Sequence, residues 1–142
     1  MKVFFQKCRD VAVIPSYAHP EDAGMDICSC ESAVILPGER KLIQTGLKMQ
    51  LPPQTEAQIR PRSGLAVKNG ITLLNTPGTI DEGYRGELGI IMINLGQEPF
   101  AIQPGMRIAQ MVIAPVLRVE AVEATELSKT TRGEGGFGSS GV

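Results

Sequence analysis

Asp81 and Tyr84 lie three residues apart in a turn-rich stretch, where a carboxylate and an aromatic ring can line the same small concavity. The stretch is NTPGTIDEGYRGELG, residues 75–89. Its turn signals and short apolar runs predict a β-hairpin with Asp81 at a Gly-rich bend. Loops that carry such side chains on a rigid scaffold are often functional sites. Asp is also common in turns because it accepts hydrogen bonds from local backbone donors, and for Asp81 taken alone that structural role is favoured.

A second stretch, QIRPRSGLAVKNG at residues 58–70, combines basic side chains with a helix start. We predict one short helix at about residues 64–69, with Ser63 as its N-cap and Gly70 as its stop signal. The unpaired N–H groups of its first turn, next to Arg62 and the Ser63 hydroxyl, could bind an anion. A capped helix with solvated arginines explains the same residues equally well.

The strand predicted over residues 106–113 carries one long polar side chain on each face. Strict alternation places Gln110 with Ile108 on one side and Arg107 with Ala109 on the other. A buried Arg or Gln without a partner costs a few kcal/mol, so both side chains need partners or must reach the surface.

The last eleven residues, RGEGGFGSSGV at 132–142, contain five glycines and a single Phe. This composition predicts a flexible tail. Gly-rich backbone beside an Arg and hydroxyl groups can also surround a phosphate with N–H donors.

Composition places these stretches in one mostly β domain, residues 1–142. The chain has 16 Gly, 10 Pro and no Trp, which is typical of short elements joined by tight turns. Turn signals recur about every ten residues and favour a sandwich, jelly roll or barrel. The predicted strands include, beyond those above, residues 3–5, 11–14, 33–36, 41–51, 71–74, 89–95 (buried on both faces) and 119–126 (a final edge strand).

Charge and cysteine content exclude several classes of protein. Lys and Arg total 14 against 15 for Asp and Glu, so the sequence gives no reason to expect nucleic acid as a partner. Cys8, Cys28 and Cys30 lack metal-type spacing, and residues 1–20 lack a signal-peptide core. We therefore predict a cytoplasmic protein in which Cys28 and Cys30 are buried free thiols. No apolar run approaches the ~20 residues of a membrane helix.

Five stretches in this order resemble the five motifs of the trimeric dUTP pyrophosphatases. They are AGMDI at 23–27, RPRSGLA at 60–66, NTPGTIDEGYRGE at 75–87, RIAQMVI at 107–113 and RGEGGFGSSG at 132–141. The resemblance implies a distorted jelly roll, a homotrimer with active sites shared between subunits, and residues 131–142 as a mobile arm that closes over a site. The implied reaction is hydrolysis of dUTP to dUMP and pyrophosphate, which keeps uracil out of DNA and supplies dUMP for thymidylate synthesis.

The resemblance also implies a role for each motif residue. Asp81 would activate the attacking water, and the Tyr84 ring would lie under the deoxyribose and exclude a ribose 2′-OH. The remaining residues would bind uracil (Asn75, Leu88, Gly89), bind the triphosphate (Arg62, Ser63, Gly64, Gln110), support that site (Asp26, Arg107), or close over the nucleotide from the tail (Arg132, Phe137, Gly138, Ser139, Ser140). The resemblance also implies Mg²⁺ bound through the substrate phosphates, which needs no cluster of protein carboxylates, and the sequence shows no set of carboxylates at ligand spacing.

Two other functions remain alternatives. A dCTP deaminase-like enzyme of the same superfamily would attack the base, and it needs a catalytic Glu in the base pocket. A non-catalytic nucleotide-binding regulator would not require Asp81, Tyr84 and Arg132 together.

Overall fold

The structure is a computed structural model and describes residues 1–141. Within this range the chain forms eleven strands and one short helix. The elements are β1 (Phe4–Lys7), β2 (Met25–Cys28), β3 (Ala33–Ile35), β4 (Arg40–Gln44), β5 (Leu47–Gln50), β6 (Thr55–Arg60), α1 (Ser63–Asn69), β7 (Ile71–Leu73), β8 (Gly78–Ile80), β9 (Gly89–Asn94), β10 (Phe100–Ile102) and β11 (Arg107–Pro115).

The strands form four small antiparallel sheets that enclose one apolar core. A four-stranded sheet has the order β2-β11-β6-β8, and a three-stranded sheet has the order β4-β9-β7. Two further pairs, β1-β5 and β10-β3, complete the body. Most neighbours in these sheets are distant in sequence, which is typical of jelly-roll-like connectivity. The predicted all-β class with one short helix is confirmed.

Aliphatic side chains that alternate along the strands fill the core. In β9, Ile90 and Met92 are buried, whereas Ile91 and Ile93 are only partly buried. The prediction that this strand is buried on both faces is therefore wrong. The buried Asn94 donates hydrogen bonds to the carbonyls of Ile35 and Glu98, both at 2.8 Å, so its amide costs little to bury.

Helix α1 follows the predicted segment, but its N-cap differs. Arg62 occupies the N-cap position without a side-chain capping bond, and Ser63 is the first helical residue. The Ser63 hydroxyl is therefore not used as a cap, contrary to the prediction. At the other end Gly70 adopts φ +67° and its N–H reaches the Ala66 and Leu65 carbonyls, which confirms the predicted stop.

The predicted hairpin at residues 75–89 does not form. Strand β8 pairs with β6, and β9 pairs with β4 and β7, so the two arms belong to different sheets. The connecting residues form a loop that spans from one sheet to the other. Each arm instead pairs with strands that are more distant in sequence and joins a sheet of three or four strands.

Three other predicted strands also differ. Residues 11–14 form no strand, and only Ala12 among them is buried. Residues 119–126 are exposed throughout, because the chain leaves the body after β11 and has no partner strand there. Residues 41–51 divide into β4 and β5 at Gly46, which adopts φ +69°.

No helix among residues 1–141 is long and apolar enough to cross a membrane.

Candidate functional site

A bulge in β11 brings two polar side chains to one face of the four-stranded sheet. Arg107 lies opposite Cys28, but Ala109 lies opposite Ile27, so two residues of β11 match one of β2. Beyond the bulge Gln110 lies opposite Asp26. Arg107 and Gln110 therefore share the face of Asp26, whereas strict alternation predicts opposite faces.

Asp26 joins two arginines on this face. Its Oδ1 lies 3.1 Å from Arg62 Nε, and its Oδ2 lies 3.2 Å from Arg107 Nη1. The Asp26 side chain is 18% exposed, and the Arg62 side chain is 30% exposed. Arg62 also donates from Nη1 to the Arg107 carbonyl at 3.4 Å. The carboxylate thus holds two guanidinium groups side by side with part of each facing solvent.

Gln110 supports the loop that leads into α1. Its Nε2 donates to the Pro61 carbonyl at 2.9 Å. A Cβ on Gly24 would lie 2.5 Å from Gln110 Oε1, so a larger residue at this position would have to displace the amide. Gln110 therefore fixes the backbone immediately before Arg62.

These residues line an open cleft of about 600 Å³. Its lining is polar and carries side chains of both signs: Ala18, His19, Asp22, Ala23, Gly24, Asp26, Arg62, Ser63, Gly64, Leu65, Lys68, Asn69, Arg107 and Gln110. The structure therefore brings together the predicted triphosphate-binding residues and their predicted supports. Cationic groups beside the first turn of a helix make this cleft suitable for an anion.

Eight of the lining residues were not predicted, and three of them carry a titratable side chain: His19, Asp22 and Lys68. His19 Nδ1 lies 3.3 Å from Asp22 Oδ2, and Lys68 lies in the last turn of α1. The sequence alone could not place His19 in the cleft, because a histidine in a polar loop carries no local signal that puts it beside the helix.

Two of the three cysteines are buried and unreactive. Cys28 and Cys30 are buried free thiols, as predicted, and Cys8 is exposed. Burial raises the pKa of Cys28, and the neighbouring Asp26 carboxylate raises it further. Burial likewise raises the pKa of Cys30. Both thiols stay protonated near neutral pH and are poor nucleophiles.

Asp81 and Tyr84 lie in the loop between β8 and β9. Asp81 is exposed, and its carbonyl accepts a bond from the Tyr84 N–H at 3.0 Å. The Tyr84 hydroxyl donates to the Glu87 carbonyl at 3.0 Å. The ring lies against Gly86, where a Cβ would overlap the hydroxyl and would lie 2.5 Å from Cζ. The loop thus presents a solvent-facing carboxylate near a ring with a defined position.

Asn75 and Gly89 line a small cavity of about 40 Å³ beside this loop. A Cβ on Gly78 would lie 3.3 Å from Asn75 Nδ2, so the amide lies close over that glycine. Leu88 is buried, and its N–H and carbonyl bond to Leu47 and Thr45. This second group shares no lining residue with the cleft.

The tail residues form a third group that lies apart from both. Residues 117–141 are exposed, including the whole Phe137 side chain. Arg132 Nε donates to the Gly135 carbonyl at 2.8 Å, and the N–H groups of Gly133 and Ser139 bond to carbonyls three residues earlier. The glycines of the tail lie in turns. No tail residue lines the cleft or the small cavity.

Among residues 1–141, no group of three His, Cys, Asp or Glu side chains lies close enough to hold a metal ion. The binding of Mg²⁺ through substrate phosphates stays a prediction. Two carboxylates, Asp22 and Asp26, are among the residues that line the cleft.

Residues 10–141 match the dUTPase family. The chain belongs to that family. Its deoxyuridine 5'-triphosphate nucleotidohydrolase relatives include that of Clostridium novyi, 63% identical over 142 residues and covering all of both chains. That of Crocosphaera subtropica is 59% identical over the same full lengths. The resemblance of the five motifs is thereby confirmed.

Solved dUTPases share the fold of the whole chain. The Staphylococcus bacteriophage 80alpha dUTPase with dUPNHPP matches with a TM-score of 0.93 at 31% identity, covering 99% of each chain. A mutant dUTPase from phage phi11 of S. aureus matches with a TM-score of 0.83 at 26% identity, covering 89% of this chain and 98% of that one. Its structure reveals how that protein coordinates a structural Mg(II) ion. The jelly-roll-like architecture is therefore confirmed.

Replacement of Asp26 by Asn should lower kcat/KM for dUTP by about tenfold or more, because two charge-assisted hydrogen bonds are weakened together. The two arginines would no longer be held side by side. Steady-state kinetics against dUTP measure this effect, with Asp10→Asn on the exposed surface as the charge-matched control. Unchanged kinetics in Asp26→Asn would show that the arginines keep their positions without the carboxylate.

Proposed function

We propose that this dUTPase hydrolyses dUTP to dUMP and pyrophosphate by in-line attack of a water on the α-phosphorus, with Asp81 as the base that activates the water. Hydrolysis of dUTP follows from membership of the family. The cleft in which Asp26 joins Arg62 and Arg107 is the observation that best supports the phosphate end of this mechanism.

The cleft would bind the triphosphate. Arg62 and the backbone at Ser63 and Gly64 present N–H donors, and these can neutralise charge that grows on the leaving pyrophosphate. Gln110 keeps the entry to α1 in place through its bond to the Pro61 carbonyl. Donors that are already positioned stabilise the transition state without reorganisation.

Mg²⁺ would bind to phosphate oxygens of the substrate in the cleft, whose lining residues include Asp22 and Asp26. When bound, the ion would orient the phosphates and withdraw charge from them. The cation would therefore arrive with the nucleotide rather than occupy a protein cage.

The loop after β8 would hold the nucleoside. Asn75 and the backbone of Leu88 and Gly89 would bond to the uracil edge, and Tyr84 would lie under the deoxyribose. Asp81 in this loop is exposed, so a water can reach its carboxylate. Phe137 and Arg132, with the backbone and hydroxyls of residues 138–140, would close over the bound nucleotide.

We also propose that the active enzyme is a cytoplasmic homotrimer in which subunits share each site. The cleft and the cavity beside the Asp81 loop share no lining residue, and the tail contacts neither. A site assembled from several copies explains why one chain holds these groups apart. Sedimentation equilibrium should give a mass of three chains, and a mass of one or two chains would contradict shared sites.

Substitution of Tyr84 by Ala should raise activity on UTP relative to dUTP, because the ring would no longer exclude the 2′-OH. The kcat/KM values for both nucleotides measure this change. An unchanged ratio would show that Tyr84 does not contact the sugar.

Pyrophosphate release in the presence of Mg²⁺ from dUTP, dTTP, dCTP and UTP, with separation of the products, tests the proposed reaction directly. We expect release from dUTP alone, with dUMP as the nucleotide product. Loss of ammonia from dCTP would instead support a deaminase, a function that the match to the dUTPase family does not favour. No turnover of any of the four would support a binding protein.

A further inference from the structure

The loop that carries Asp81 and Tyr84 is held near each end by a glutamate. At the first end, Glu82 Oε2 accepts the Gln54 N–H at 2.9 Å and pairs with Arg118 at 3.0 Å. At the second end, Glu87 Oε1 accepts the Gly46 N–H at 3.0 Å and lies 3.1 Å from Arg9 Nε.

Arg9 binds Glu87 through two nitrogens. Its Nη2 donates to Glu87 Oε2 at 3.4 Å, so the guanidinium and the carboxylate meet side by side. This geometry fixes the orientation of the carboxylate as well as its position. The hydrogen bond to Glu87 and its negative charge also raise the pKa of Arg9, so the arginine is charged at neutral pH.

Glu87 in turn determines where Tyr84 lies. The Tyr84 hydroxyl donates to the Glu87 carbonyl, and the ring packs on Gly86 between them in sequence. The next residue, Leu88, is fixed by its N–H bond to the Leu47 carbonyl at 2.8 Å. The peptide whose carbonyl accepts the Tyr84 hydroxyl is therefore held from two sides, by the Leu88 N–H on one side and by the Arg9–Glu87 ion pair on the other, and loss of the ion pair would leave only the Leu88 bond to hold it.

We propose that Arg9 and Glu87 form a positioning pair that holds the Tyr84 ring and so determines how strongly the enzyme prefers dUTP to UTP. This inference rests on the proposed function, in which Tyr84 lies under the sugar. Arg9 reaches the site only through Glu87, and it touches neither the cleft nor the small cavity.

The pair contributes to selectivity rather than to folding. The Arg9 side chain is 44% exposed and that of Glu87 is 25% exposed, and ion pairs with this exposure stabilise proteins little. Without Arg9, Glu87 keeps the bond from the Gly46 N–H but loses the partner that orients its outer oxygen. The ring then samples positions that leave room for a 2′-OH.

The test measures the ratio of kcat/KM for dUTP to kcat/KM for UTP in Arg9→Ala, Arg9→Lys and Tyr84→Phe. We expect Arg9→Ala to lower this ratio about fivefold. The ratio of Arg9→Lys should lie between that of Arg9→Ala and that of the unchanged enzyme, because Lys makes one contact where Arg makes two. The melting temperature should change little. Arg40→Ala removes the same charge from β4, where Arg40 forms none of the ion pairs found within residues 1–141, and should leave the ratio unchanged.

The double variant Arg9→Ala/Tyr84→Phe separates positioning from a general loosening of the fold. If Arg9 acts through the Tyr84 hydroxyl, the double variant should show the ratio of the more affected single variant, not the product of the two effects. Multiplicative effects, or an unchanged ratio in Arg9→Ala, would overturn the inference. If Tyr84→Ala changes the ratio while Arg9→Ala does not, only this inference fails. If Tyr84→Ala also leaves it unchanged, the proposed sugar contact fails.

Discussion

Replacement of Asp81 by Asn should lower kcat for dUTP by about 10² to 10⁴-fold, the usual effect of losing a general base, while nucleotide binding is largely kept. Asparagine has almost the same shape, so the backbone bond from the Tyr84 N–H to the residue 81 carbonyl can remain. Single-turnover kinetics and calorimetric titration with a non-hydrolysable dUTP analogue measure the two effects separately.

The neighbouring carboxylate provides the control for this prediction. Glu82→Gln removes one negative charge from the same loop but leaves Asp81 in place, so its kcat should fall much less. Glu82 bonds to the Gln54 N–H and to Arg118, not to a water in the proposed site. Turnover close to that of the unmodified enzyme in Asp81→Asn would remove Asp81 from the role of base.

A chain that ends at Thr131 should fold normally and yet lose at least about 10²-fold in kcat/KM, because Arg132 and the Gly-rich backbone supply charge-assisted bonds that position the phosphates. Residues 132–141 are exposed and contribute nothing to the core. The melting temperature and the circular dichroism spectrum should therefore match those of the full chain, while hydrolysis of dUTP nearly stops.

Loss of folding in the shortened chain would contradict this prediction and would give the tail a structural role. Phe137→Ala in the full chain separates the ring from the backbone donors. It should lower kcat/KM less than the truncation does, because only stacking on the base is removed.

Mixing the two inactive variants tests whether subunits share sites. In trimers assembled at random from equal amounts of Asp81→Asn chains and chains that end at Thr131, about a quarter of the sites would combine an intact Asp81 with an intact tail from another subunit. Activity should therefore reappear on co-refolding. If Asp81 and the tail of one chain acted together, no mixed trimer would recover activity.

Local signals were sufficient for the family, the fold class and the helix. The five motifs are runs of specific residues, and their order along the chain does not depend on knowing how strands pair. Turn residues and apolar runs likewise report local backbone preferences, so the β class and the end of α1 at Gly70 could be predicted.

Pairing partners were decided by the tertiary structure. The apolar runs on either side of the Asp81 loop are as compatible with a hairpin as with the observed pairing of β8 with β6 and β9 with β4. Residues 119–126 alternate like a strand but lie exposed, because alternation cannot supply a neighbour to bond with. Choice of partner depends on the total apolar area buried by the whole chain.

The geometry of the site also required the tertiary structure. The bulge at Ile108 places Arg107 and Gln110 on the face of Asp26, although residues three apart in a regular strand point to opposite faces. The carboxylates that hold the Asp81 loop bond to backbone 28 and 41 residues away, at Gln54 and Gly46. The sequence by itself determined which chemical groups the site contains, because these are properties of single residues. Their distances and orientations were decided only by the fold, because they depend on contacts between segments far apart in the chain.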